Sequence, residues 1–350
     1  LNNDFGVPNT MQGLKELWDD GKMKVVHGVG YENQSLSHFF GSDLWATTDI
    51  ENATENSGWM GRYFEELYPD FLMSPPDEPA AIQIGNKGNL MYEGDGLNYS
   101  MAVANPETLY QIASQGQLYD LNNLDNNFYG DQAEFLRGVA NTTLNYAEVI
   151  NEAYQSSNDN STNYTSGSLS NQLRLVSRLI KGNLGTKVYF VSLGGFDTHN
   201  GQIDRHPELM TELSDSLKAF YDDLSNNGWD DKVLSMTISE FGRRVAQNGS
   251  NGTDHGTASQ MMLFGSGLNG NGFVSNHPDL GNLNNQGNLE YSIDFRQVYA
   301  SVLIDWLCVD PTIVNTVLLN GNFTTLQLGM SCATLSTNEE IISNISLSHF

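Results

Sequence analysis

In SLGGFDTHNGQ, residues 192–202, Asp197 and His199 stand one residue apart just after KVYFV, a β-branched and aromatic run with the composition of a buried strand. A carboxylate and an imidazole so placed can ligate a cation or move a proton. Two further stretches repeat the combination. SEFGRR (239–244) offers Glu240 and Arg243, and GTDHGT (252–257) offers Asp254 and His255 between two glycines that let the loop bend sharply. Asp197, His199, Glu240, Asp254 and His255 make a mixed nitrogen and oxygen donor set, best suited to Zn²⁺ or Mn²⁺ and workable for Ca²⁺ or Mg²⁺. A fourth stretch, SLSHF (35–39), puts Ser37 at the start of an expected helix. There the positive end of the helix dipole favours an anion, and a metal-activated hydroxyl can act as a nucleophile. His38 beside it reads as packed or solvated. His206, just before Pro207, is a candidate outer ligand, while His27, His277 and His349 have no motif around them.

Taken singly, each stretch has a structural explanation. Asp-x-His after a strand is commonly a turn with a capping Asp, Glu240 and Arg243 can pair with each other, and a Ser before a helix is usually its cap. The elements expected around them change the weighing. Strands are expected at 24–31, 80–85, 187–193, 232–239 and 260–265, and helices at 9–20, 59–68, much of 105–155, 170–182, 207–224 and 294–307. Strands alternating with long helices predict a mostly parallel sheet covered on both faces, with ligands beyond the carboxyl ends of its strands. The acidic and histidine-bearing loops all fall at that end. Structural carboxylates have no reason to converge there.

The chain has 350 residues, 39% of them hydrophobic, enough for one large core. Its 16 basic residues against 42 acidic ones give a formal charge of −26. No basic stripe exists to neutralise phosphates, which argues against nucleic acid and anionic membrane surfaces as partners. No apolar run approaches a membrane span. The stretch 156–168 has almost nothing to bury and is expected to be an exposed, flexible loop rather than a domain linker. Cys308 and Cys332 are equally compatible with one disulfide, which would indicate an oxidising compartment, and with two buried thiols.

The succession VHGVGY, SHF, GGFDTHNGQ, SEFGRRVAQNGSNGTDHGT and DFRQVYASVLIDWL resembles the bacterial secreted proteins grouped as domain of unknown function 1501, from about residue 8 to about residue 310. The resemblance implies export and an alkaline-phosphatase-like fold: a single domain over 1–350, a three-layer α/β/α sandwich with a mostly parallel central sheet. It implies a hydrolase ancestry, shared with sulfatases, in which a Ser, Thr or modified Cys attacks phosphorus or sulfur. In that frame Asp254-His255 resembles the Asp-His metal pair, and Asp197 and His199 resemble the other ligands, at a closer spacing than is usual. Ser37 resembles the nucleophile, although the Cys/Ser-x-Pro-x-Arg signature of sulfatases is absent. Family members usually begin with a strand leading into an acidic Gly-rich stretch that residues 1–30 do not contain, so a preceding strand is expected to be missing. The ending SNISLSHF reads as the point where a sorting or anchoring segment would have been removed.

Two functions follow. The first is an exported hydrolase using a divalent metal on a small anionic ester or glycan-linked substrate, with Asp197, His199, Asp254 and His255 as ligands, Glu240 as ligand or base, Ser37 as nucleophile and Arg243 steadying the anion. The second is a non-catalytic surface protein that keeps the fold and meets assembly partners at the cell surface. Separation of the Asp197 and Asp254 loops by more than about 10 Å would disfavour a shared ion, because ligands bond at about 2 Å.

Overall fold

The apolar run that follows Gly21 becomes the central strand of the protein. The computed structural model describes residues 1–51, 54–86, 88–121, 123–158 and 164–332. Helix α1 (Gln12–Asp19) turns at Gly21, with φ +72°, into strand β1 (Met23–Gly30). Met23 and Val25 pack into one core cluster, and Val26 and Val29 into the other. Strict alternation would set Val29 with Val25. A register shift between Val26 and Val29, with Gly28 at φ +64°, forms a bulge that reverses the phase.

In chain order come α2 (His38–Thr47), α3 (Trp59–Leu67), β2 (Ala81–Ile84), β3 (Ser100–Val103), α4 (Pro106–Ala113), α5 (Phe128–Ser156), α6 (Ser168–Lys181), β4 (Val188–Phe190) and α7 (Gln202–Asn226). Then follow β5 (Ser235–Met236), the hairpin β6 (Gly242–Gln247) and β7 (Thr253–Gly256), β8 (Ser259–Phe264), β9 (Gly272–Val274), β10 (Ile293–Asp294) and α8 (Phe295–Ser301). A π-helical turn over Val302–Trp306 leads on to α9 (Pro311–Val317). Asn side chains cap α4 and α5, and Asp294 with Gln297 forms a capping box on α8.

The architecture is mixed α/β. One core cluster joins α1, α6 and α7 to Met23, Val25 and Phe264; the other joins α2, α3 and α8 to Val26 and Val29, so helices cover both faces of β1. The central sheet departs from the mostly parallel one expected. Its order is β10-β1-β8-β5, with β9 also beside β1, and β8 runs antiparallel to both β1 and β5. Among the described residues only the separate β3-β2-β4 sheet is wholly parallel. The physical reason lies in the connections. An uninterrupted apolar strand reports burial on both faces, not direction. Between β5 and β8 the chain makes the β6-β7 hairpin instead of a crossover helix, so β8 returns antiparallel to β5.

Two elements also differ at positions that matter to the site. Helix α7 begins at Gln202, five residues ahead of the expected start at Pro207, because Gly201 at φ +54° opens the first turn and its carbonyl accepts from the Arg205 N–H. Pro207, in the second turn, removes the hydrogen bond to the Ile203 carbonyl and crowds it, and the helix nonetheless continues through it. Strand β4 is half-buried throughout; among the described residues it pairs with β2 alone. Residues 164–167 form coil ahead of α6, while 159–163 and the ending SNISLSHF lie outside the described residues. Among the described residues no helix is long and apolar enough to cross a membrane.

Candidate metal centre

The loop after β4 is fastened to the β6-β7 hairpin through its backbone. The Thr253 N–H donates to the Thr198 carbonyl at 3.1 Å, the Gln202 N–H to the Asn251 carbonyl at 3.0 Å, and the Asn248 amide to the His199 carbonyl at 2.9 Å. Gly252 makes this closeness possible: a Cβ there would lie 2.2 Å from the Thr198 carbonyl oxygen. Within the hairpin, Arg243 and His255 are direct cross-strand partners. The segment before α2 closes the third side, where the Leu36 carbonyl accepts from His255 Nδ1 at 2.7 Å and the Gln34 amide donates to the Glu240 carbonyl at 3.2 Å.

At the junction lies the Asp197 carboxylate. Its Oδ1 is 2.7 Å from Arg243 Nη1, 2.9 Å from His255 Nε2 and 3.0 Å from His199 Nε2, and its Oδ2 is 3.3 Å from His38 Nε2. Each imidazole is held from behind at its other nitrogen. His38 Nδ1 meets Glu240 Oε1 at 2.5 Å, His199 Nδ1 meets Asp254 Oδ1 at 3.1 Å, and His255 Nδ1 meets the Leu36 carbonyl. Carbonyl and carboxylate oxygens accept, so each ring faces an acceptor on both sides: a neutral imidazole satisfies one of them, and a doubly protonated one satisfies both. Three Nε2 atoms are turned toward one carboxylate, and His199 Nε2 and His255 Nε2 face each other at 2.8 Å. Nitrogens gathered in this way on one carboxylate are satisfied by protons carried on Nε2 or by a cation that takes their lone pairs. The pattern of an imidazole ligating through one nitrogen and held at the other by an acceptor is the usual outer support of a metal ligand. One atom each of His38, Asp197 and His255 lies within 4.8 Å of the other two.

The surroundings add rigidity and charge. The buried Phe241 ring stacks on His255 at 4.3 Å and lies 4.8 Å from His38. Partial burial would raise the Asp197 pKa, but hydrogen bonds from Arg243, His255 and His38, with the charge of His199, hold the carboxyl well below the ordinary range. The Glu240 hydrogen bond raises His38. Asp254 is lowered by its bonds from Asn248 and then His199.

All the acidic and imidazole residues singled out from the three loops meet here, with different contacts. Asp197, His199 and His255 face inward; Asp254 and Glu240 touch the outer nitrogens of His199 and His38. Arg243 is committed to Asp197 Oδ1 and to the Thr253 carbonyl and hydroxyl. Ser37 is exposed, occupies the N-cap position of α2 without making a capping bond, and lies between Leu36 and His38. His206 does not touch the cluster; it lines a groove of about 340 Å³ between the start of α7 and the hairpin, with Ile203, Pro207 and Val245. The residue that sequence reasoning missed is His38. Its signal was its position at the first residue of a helix whose preceding segment returns to the same end of the sheet.

A mixed α/β protein with three imidazoles and an aspartate at the end of its sheet is the class these features define. Residues 24–306 match the family described as a protein of unknown function (DUF1501). The match spans more than half of the chain, which therefore belongs to that family. No curated protein and no solved structure matches it.

Proposed function

We propose that the chain is a metal-dependent hydrolase of a phosphate or sulfate ester, with His38, His199, His255 and Asp197 as the ligand set for Zn²⁺ or Mn²⁺. The observation that carries this reading is the convergence of three Nε2 atoms on the Asp197 carboxylate, each ring held at Nδ1 by an acceptor. Three nitrogens and one oxygen suit a borderline ion of this kind. When bound, such an ion supplies Lewis-acid stabilisation of the charge that develops on the ester oxygens.

The protein's own groups do the rest. Asp254, Glu240 and the Leu36 carbonyl fix the imidazole tautomers and ring planes, and Arg243 pins the Asp197 carboxylate. Ser37, exposed and flanked by residues bonded to the cluster, is the hydroxyl that attacks: its Oγ would bond to phosphorus or sulfur as the ester's alkoxide leaves and takes up the Ser37 proton, and water would then hydrolyse the seryl ester to restore the hydroxyl. The uncapped first turn of α2 leaves N–H groups available to the ester's anionic oxygens. The organic part of the substrate lies in the groove lined by Ile203, Pro207 and Val245, which leads from the hairpin residues Gly252 and Thr253. The alkaline-phosphatase-like relationship and export belong to the same proposal and rest on the order of the motifs.

The test is turnover of 4-nitrophenyl phosphate and 4-nitrophenyl sulfate by the chain loaded with Zn²⁺ or Mn²⁺. Hydrolysis of one ester that depends on added ion and falls at least about 100-fold in Ser37→Ala, with ion binding retained, is the expected result. A chain that binds the ion and turns over neither ester would instead be the non-catalytic surface protein with a structural cation site.

A further inference from the structure

Both cysteines reach one turn of the C-terminal region, away from the residues assigned above. Cys308 follows the π-helical turn Val302–Trp306 with φ +58°, a left-handed conformation that Gly or Asn usually supplies at a helix end. Its sulfur lies 3.8 Å from the Trp306 carbonyl oxygen, and the Cys332 sulfur lies 3.3 Å from that of Ile304. The strap that delivers Cys332 is anchored along its length. The Leu326 N–H donates to Ser301 Oγ at 2.8 Å, the Asn269 amide donates to the Gly329 carbonyl at 2.6 Å, and Leu328 and Met330 are buried. At Gly329, φ +80°, a Cβ would lie 2.1 Å from the Leu268 carbonyl oxygen, so the backbone there has no room to drift. Partial burial, with a hydrogen bond to the Cys332 sulfur, pushes the Cys308 thiol up to about 12. Both residues are exposed at the surface, open to a soluble oxidant.

We propose that Cys308 and Cys332 form an oxidisable pair that closes to a disulfide and clips the C-terminal strap onto the π-helical turn. A small-molecule disulfide is the oxidant. The Cys332 thiolate attacks one of its sulfurs and expels the first external thiolate, which takes up the proton Cys332 has lost. Cys308 then attacks the Cys332 sulfur of the mixed disulfide, and its proton leaves with the second external thiol. Two protein thiols become one S–S bond, and one external disulfide becomes two thiols. Bridging this segment constrains the unfolded chain and stabilises the fold.

The experiment uses the purified full chain, incubated near neutral pH with oxidised glutathione, then denatured, alkylated and mapped by mass spectrometry. A cross-linked pair of peptides carrying Cys308 and Cys332 is expected, with a Tm about 5 °C above that of the reduced chain. Cys308→Ser should keep glutathione on Cys332 and show no gain in Tm. A wild-type chain in which both cysteines end alkylated, or each carries its own glutathione, overturns the proposal.

Discussion

His38 has the largest consequence of any single side chain in the site. It stands between Glu240 and Asp197, at 2.5 and 3.3 Å, and supplies the third imidazole that the proposed metal centre needs. Because it is a proposed inner ligand, His38→Ala should weaken Zn²⁺ binding by at least about 100-fold. Asp254→Asn, which disturbs only the outer nitrogen of His199, should cost about 10-fold; competition with a chromogenic chelator measures both. The pH dependence has opposite signs with and without metal. In the metal-free chain the Glu240 bond raises the His38 pKa, so this pair stabilises the fold fully below the unfolded pKa near 6.5 and loses its contribution as pH rises through the raised value. Asp197, held low, contributes throughout that window and is lost only in strong acid. Metal needs the neutral ring, so its affinity should rise over the same interval. Tm measured from pH 5 to 8 with chelator and with excess Zn²⁺ should therefore diverge as pH increases.

At the scale of elements, Arg62 on α3 supports the helix that carries His38. It is buried, and donates to the carbonyls of Thr47 and Val317, the last residues of α2 and α9, at 2.7 and 2.8 Å, and to that of Ser57 at 2.6 Å. Burial lowers its pKa to about 10, still protonated at neutral pH. A cation at two helix C-termini satisfies carbonyls that the helices leave open. Arg62→Met should destabilise the fold by about 3 kcal/mol in urea unfolding, since those buried acceptors lose their donor. The helices were partly legible in the sequence: the starts after Asn105 and at Asp294 match side-chain caps, whereas α5 begins at Phe128, capped by Asn127, within a stretch that the pattern marks only as broadly helical. Strand direction was not, because the apolar runs of β1 and β8 carry no sign and only the hairpin between β5 and β8 decides it. The site was legible as a set of loops, while the division into inward-facing and outer residues depends on backbone contacts such as Gly252 against Thr198 that no local pattern reveals.

For the molecule as a whole, a formal charge of −26 means self-repulsion that favours expansion at low ionic strength. The core, covered by helices on both faces of β1, holds against it. Raising NaCl from about 10 mM to about 500 mM shortens the Debye length from about 30 Å to about 4 Å and should raise Tm by several degrees, read by differential scanning calorimetry. A divalent ion at Asp197 would act locally in the same sense. The most direct measurement is isothermal titration of the chelator-treated chain with Zn²⁺ and with Mn²⁺, alongside Asp197→Asn and His255→Ala. The wild-type chain should take up about one ion with a Kd of about 1 μM or tighter, corresponding to about −8 kcal/mol, and either variant should lose that affinity. A wild-type chain that binds neither ion, or variants that bind as tightly as it does, would contradict the metal centre.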